Sequence, residues 1–326
     1  MIDYMKIPVY NQEALNNIRN NDLLKFKKNG DKEKAKYNGL TFDLHPATDK
    51  LPIRCMVRGS LHYWKNKGLH NADDFTFDEF GYSILELDEK FGINCDYTGF
   101  SRLEYGVNIV LPFDVEMFLA SIILYRGSRM IKIVKQGKNG ERFVELGDYL
   151  LKLYNKSKQF PQYTEENTLR VEISTQANRI RTYFGDTKVV KDLSDLLCLY
   201  TWEFFVRELP KVFGLMLIYE DIDIIGLCDS GKMTAEEANL LISGRIPEYW
   251  NGINGMVRTR TLNKFQRLID QHATLKRKDV VMELIKSKII DLCAIEGENM
   301  RYCYTNTEGK TDVSIRYTNT ESETTE

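Results

Sequence analysis

Four short segments hold most of the residue types in this chain that could do chemistry together. Arg102 to Leu111 (RLEYGVNIVL) alternates Leu103, Tyr105, Val107 and Ile109 against Glu104, Gly106 and Asn108. Period two over that length predicts a strand. Leu169-Arg170-Val171-Glu172-Ile173 has the same character. Glu104 and Glu172, on strands of this kind, can meet on one sheet face; each can equally pair with Arg102 or Arg170 across a solvated face. Between these strands lie Tyr125-Arg126-Gly127-Ser128-Arg129 and Leu151-Lys152-Leu153-Tyr154-Asn155-Lys156. A phenol, with a pKa near 10, is a poor nucleophile unless a metal or another cation stands close to it. Tyr125 also reads as an ordinary half-buried tyrosine that needs one hydrogen-bond partner, in a chain with 18 tyrosines.

The order and spacing of these four segments resemble the replication initiators of rolling-circle plasmids and filamentous phages, over residues 53–197. Those proteins carry an acidic strand of the form Arg-hydrophobe-Asp/Glu and a Tyr-x-Gly-Ser-Arg segment. A hydrophobe-Tyr-Asp/Asn-Lys strand and an Arg-Val/Phe-Glu strand follow. The resemblance implies an α+β fold, with an antiparallel sheet and flanking helices like that of the initiator nucleases, followed by a mainly helical C-terminal region. It implies that Tyr125 attacks a DNA phosphodiester and becomes linked to the 5′ end. It implies that Glu104 and Glu172, with Asn108, hold Mg²⁺ or Mn²⁺, and that Lys156 and Arg129 lie near the scissile phosphate. Oxygen ligands suit such a hard cation, which would polarise the phosphoryl oxygen. The implied partner is origin DNA, single-stranded or in a hairpin, with unwinding left to a host helicase. Two departures stand beside the matches: the chain has no His-x-His, and Asn108 occupies a position where a second acid is more usual.

Basic residues segregate along the chain. Residues 125–158 hold nine Lys/Arg against three acids, and residues 256–289 hold the same numbers, in a chain of net charge −2. Arg126, Lys132, Lys152 and Lys158 in the first stretch are candidate DNA contacts. So are His62 and Trp64, which lie in the loop region SLHYWKNKGLHNADD, where aromatics could stack on bases. The alternative is that the histidines are structural and the cations sit on solvated helix and strand faces. Helices at 258–272 and 276–294 could form a helix-turn-helix-like reader or an ordinary two-helix bundle.

The elements that must position these residues follow from periodicity. Ile53 to Tyr63 reads as a strand, and Phe77, Phe80, Ile84, Leu87 and Phe91 form a helical stripe. Asp114 can cap a helix running to Leu124, and Gly137-Lys138-Asn139-Gly140 signals a hairpin. Strands are predicted at 149–154 and 169–174, then helices at 187–208 and 234–243, the latter opened by the capping box Thr234-Ala-Glu-Glu237. The expected organisation is a polar N-terminal segment (1–50), an initiator-like α+β domain (51–197), a helical region (198–299) and a polar tail (300–326). The tail repeats Tyr-Thr-Asn-Thr-Glu at 304–308 and 317–321.

Composition narrows the classes. With 43% hydrophobic and 28% charged residues, the chain has the profile of a folded protein with a sizeable core. Six scattered cysteines without a Cys-x-x-Cys pair argue against a zinc ribbon or a disulfide framework. The N-terminus lacks the apolar stretch of a signal peptide, so a soluble, cytoplasmic protein is expected. Walker A, Gly-x-Ser-x-Gly and His-Glu-x-x-His signatures are absent. Three readings stand: a metal-dependent tyrosine nickase, a DNA-binding module of the same fold that has lost nicking, and a protein–protein interaction protein.

Overall fold

The computed structural model describes residues 1–126, 129–130, 142–185 and 190–293. The chain opens on β1 (Ile2–Val9), in which Met5, Ile7 and Val9 are buried while Lys6 and Pro8 are partly exposed. α1 (Gln12–Asn20) follows, its N-terminus capped by the Asn11 side chain. β2 (Lys27–Asn29), β3 (Lys32–Tyr37) and β4 (Leu40–His45) come next. Asn38 and Gly39, at φ 44° and 84°, make the tight β3–β4 turn, which needs left-handed backbone at both positions. β5 (Arg54–Ser60) runs into the short α2 (Leu61–Lys65), and a loop leads to α3 (Phe77–Phe91). The predicted apolar stripe of α3 is buried; Thr76 and Glu79 cap its start reciprocally and Gly92 ends it at φ 68°.

β6 (Arg102–Val110) is the alternating strand the sequence predicts, and Asp114 caps α4 (Val115–Ala120). That helix ends before Leu124 because β7 (Ile122–Tyr125) pairs with β8 (Arg129–Met130) instead. β9 (Arg142–Leu146), β10 (Tyr149–Asn155), α5 (Lys156–Gln159), β11 (Thr168–Gln176) and α6 (Ala177–Phe184) complete the strand-rich part. The C-terminal part holds α7 (Leu199–Gly214), β12 (Met216–Ile218), α8 (Ile224–Asp229), α9 (Ala235–Gly244), α10 (Gly255–His272) and α11 (Arg277–Cys293). The Thr234–Glu237 capping box opens α9 as predicted. Lys132, the Gly137–Gly140 turn and the repeated tail string lie outside the described residues.

Nine strands form one antiparallel sheet in the order β2-β3-β4-β5-β1-β6-β11-β10-β9, and β12-β7-β8 form a second, smaller sheet. The fold is α+β, with a large antiparallel sheet and a mainly helical C-terminal region. One face of the large sheet is apolar and lies under helices: the Tyr105 ring is 4.6 Å from Phe205 of α7, and Phe42 is 4.8 Å from Phe91 of α3. Gly106 lets β6 and β11 close on each other, since a Cβ there would lie 2.1 Å from the Val171 carbonyl oxygen.

Two expected boundaries are corrected. Residues 1–50 are not a polar appendage, because β1 lies inside the sheet between β5 and β6 and β2–β4 continue it. The helical region is likewise not one unit. α7 and α11 bury Phe204, Phe205, Ile285 and Ile289 in the same core as the large sheet. A second core gathers Leu124 and Leu217 of the small sheet with Leu241, Trp250, Phe265 and Ile269 of α9, α10 and their connection. α10 and α11 therefore serve different cores, which excludes a packed helix-turn-helix pair. Among the described residues no helix is long and apolar enough to cross a membrane.

Candidate nucleic-acid interface

The second face of the large sheet is polar. Period two sets its members: wherever Met5, Ile7 and Val9 of β1 point into the core, Lys6 and Pro8 point away from it. Strand register then aligns cations. Lys36, Thr41, Arg58, Lys6, Arg102 and Gln176 are successive cross-strand partners from β3 to β11. Arg58, Lys6 and Arg102 thus stand directly opposite one another on three adjacent strands, an arrangement that destabilises a sheet. The neighbouring row runs Lys27, Lys34, Asp43 and Met56. Asp43 binds Arg58 at 2.9 Å and lies 3.7 Å from Lys32. Among the described residues, Lys6 and Lys36 make no ion pair. Burial, followed by the charges of Arg54 and Lys32, pushes the His45 imidazole below its usual pKa, as a cationic surface would.

At the other end of this face the predicted acids do meet. A bulge in β1 places Asp3 and Tyr4 opposite the single residue Glu104. Lys152 lies directly opposite Glu172 in the β10–β11 register. Its ammonium donates to Glu104 Oε2 at 3.0 Å and to Glu172 Oε1 at 2.8 Å. Arg170 Nε donates to Glu172 Oε2 at 3.0 Å, and its other nitrogens reach Asn108 Oδ1 and Asp3 Oδ2 at 3.4 and 3.5 Å. The Asn108 amide donates to the Ala72 carbonyl at 2.9 Å, which pins the loop before α3 over this end of the sheet. Burial would raise the pKa of Glu172, but Lys152 and Arg170 outweigh it and hold the carboxyl well below its usual range. For Lys152, burial is outweighed by Glu172 and Glu104, which hold its pKa above the usual value.

The expected metal ligands are therefore brought together, but as partners of fixed cations. Both carboxylates and the Asn108 oxygen already accept from Lys152 or Arg170, and Mg²⁺ or Mn²⁺ would need those same oxygens. The donor set does not fit a divalent ion. Among the described residues no group of three or more His, Cys, Asp or Glu side chains could hold one.

Lys156, expected near a phosphate, is 0% exposed. It donates to Asn71 Oδ1 at 2.8 Å and Gln159 Oε1 at 3.1 Å and lies over the Phe160 ring. Burial, with the charge of Arg170 next, pushes its pKa down to about 8. The unfolded lysine keeps its proton to about 10.4. Between those values the unfolded chain binds more protons, so stability rises with pH across that window. Relative to Lys156→Met, the wild type should gain about 2 kcal/mol between pH ~8 and ~10 in urea unfolding. Parallel pH profiles for the two proteins would refute this.

Tyr125 also departs from its expected role. It is 0% exposed, and its hydroxyl shares a hydrogen bond with that of Tyr149. Tyr149 alternates with Lys152 along β10, on the apolar side with Leu151 and Leu153. The sheet thus lies between the Tyr125 hydroxyl and the acids. Burial, and then the bond to Tyr149, raises the phenol pKa well above its usual value, the opposite of what a nucleophile needs. Tyr125→Phe should cost about 1 kcal/mol of stability, the worth of one buried hydrogen bond. It should leave the pattern of protein–DNA adducts on a denaturing gel unchanged; a metal-dependent adduct lost in the variant would return Tyr125 to the chemistry.

Other expected contacts divide. His62 is buried, stacked on Phe75 at 4.9 Å and bonded to Asp73 at 2.6 Å, and burial lowers its pKa despite Asp73. Trp64 is buried between Tyr37 and Phe91, with its indole N–H donated to Glu86. Neither can stack on a base. Lys158 is exposed and bound to Glu116 at 2.9 Å. Arg126 is exposed at φ 57°, its amide donating to the Leu215 carbonyl. Arg129 pairs with Tyr125 in the β7–β8 ladder. In the second basic stretch, Arg277 is buried against Glu220 and Asp221, and Lys278 donates to the Gly214 and Met216 carbonyls. Those cations are structural. The row through Lys6 escaped sequence reading, although the alternation of Tyr4, Lys6 and Pro8 with Met5, Ile7 and Val9 was its signal.

These observations define an α+β protein whose antiparallel sheet has one helix-covered face and one open cationic face. No family model and no curated protein matches the sequence. Among solved structures the chain is similar to a rolling circle replication initiator protein from Geobacillus stearothermophilus. The likeness is loose, with 14% identity and a TM-score of 0.38, over 68% of this chain and 87% of that chain.

Proposed function

We propose that this chain binds nucleic acid along the open face of its large sheet, and that origin DNA of the rolling-circle type is its target. The observation that carries this reading is the line of Arg58, Lys6 and Arg102 across three central strands. Like charges directly opposite cost stability, and a polyanion laid across them would convert that cost into binding. The resemblance to rolling-circle initiators supplies DNA as the polyanion. Of the readings the sequence leaves open, the binding module without Tyr125-dependent nicking agrees best with the buried phenol and the paired acids.

The test is fluorescence anisotropy of a labelled single-stranded oligonucleotide against salt. With three to five phosphates neutralised, log K should fall with log salt at a slope of about −2 to −3.5, at ~0.7 per phosphate. Absence of binding at low salt would refute the proposal and favour the interaction-protein reading.

A further inference from the structure

The position between Glu104 and Glu172, where the family resemblance would put a divalent ion, is filled by this chain's own Lys152. We infer that Lys152 is a tethered cation that closes this end of the face to metals, so that the site works with fixed organic charge alone. Register places it: Lys152 and Glu172 are directly opposite in the β10–β11 pairing, and Glu104 stands across from Ser174 on the next strand. Its ammonium reaches both carboxylates, at 3.0 and 2.8 Å, while Arg170 holds the second oxygen of Glu172 at 3.0 Å. Glu172 is 4% exposed and Arg170 also 4%. With Asp3 against Arg170 at 3.5 Å and Arg102 3.9 Å from Glu104, three acids and three cations balance. An added divalent ion would have to expel Lys152 and leave excess positive charge in a buried place, which costs several kcal/mol. An ammonium also differs from a metal in what it offers. It gives three donors and one charge but no open coordination position, so it cannot lower the pKa of a bound water or polarise a phosphoryl oxygen as a Lewis acid does. The inference is independent of the nucleic-acid proposal, since it concerns cation occupancy whether or not DNA binds.

Mn²⁺ alone is the probe, with the free ion followed by electron paramagnetic resonance. The wild-type chain should take up no stoichiometric Mn²⁺ up to about 1 mM, the weak end of protein sites for hard cations. Lys152→Ala should bind one Mn²⁺ per chain at least tenfold more tightly than the wild type, and adding Glu104→Gln should abolish that binding. Should the alanine variant not fold, Lys152→Gln is measured instead, since it keeps the length and adds an amide oxygen. Wild-type uptake of one Mn²⁺ that Glu104→Gln removes would overturn the inference. A folded Lys152 variant that takes up none would overturn it equally.

Discussion

Replacing Lys6, Lys36 and Arg102 together by glutamine should weaken single-stranded DNA binding about a hundredfold at ~0.1 M salt. The figure follows from counterion release: each neutralised phosphate contributes a slope of about 0.7, so losing three lowers it by about 2. Arg58 is left in place because it also binds the buried Asp43 at 2.9 Å, and its loss would confuse binding with folding. The direction of the stability change separates this account from a structural role for the row. Among the described residues, Arg58, Lys6 and Arg102 are like charges on adjacent strands, and the acids beside them, Asp43 on Arg58 at 2.9 Å and Glu104 3.9 Å from Arg102, leave Lys6 unpaired between two guanidinium groups. Removing two of the charges should therefore leave stability equal or raise it, by up to about 1 kcal/mol. Binding should fall while the unfolding midpoint holds or climbs. A loss of both together would mean the cations stabilise the sheet and carry no ligand.

Arg170→Met is expected to have the largest effect on folding. The guanidinium is buried and reaches Glu172, Asp3 and Asn108 at 3.0, 3.5 and 3.4 Å. Without it, Glu172 keeps only Lys152 and the weak Tyr154 contact, and Asp3 keeps Ser60 and Asn71. Breaking a buried charge pair from one side typically costs about 3–5 kcal/mol, because the remaining charge is stranded. Arg170→Lys should fall between, since it restores the charge but not the planar fork. The same change should raise the pKa of Lys156, because the Arg170 charge is second only to burial in depressing it. A midpoint shift under about 1 kcal/mol for Arg170→Met would show the network is not buried as described.

Much of the scaffold was legible where pattern is local. The stripe of α3, the alternation of β6 and the Thr234–Glu237 capping box are set by residues within a few positions of each other, and all are found as read. β1 was missed because its alternation has few apolar beats and includes Pro8, which reads as a break. The acids of the site were placed on the correct strands. Their true partner was not, because the meeting of Lys152 with Glu104 and Glu172 depends on which strands are neighbours. Order β6-β11-β10 is a property of the sheet, and no spacing along the chain encodes it. The burial of Tyr125 was not legible for a related reason. A motif gives a residue's type and place in the chain, whereas its side of the large sheet shows only in its contact with Tyr149 of β10.

The most direct test of the central claim is lysine footprinting, in which amine acetylation is quantified by mass spectrometry with and without a bound single-stranded oligonucleotide. The open-face account predicts protection of Lys6, Lys34 and Lys36, with Lys264 of α10 and Lys286 of α11 reacting as before. Protection of Lys264 and Lys286 with Lys6, Lys34 and Lys36 unchanged would contradict it, and would move the interface to the C-terminal helices.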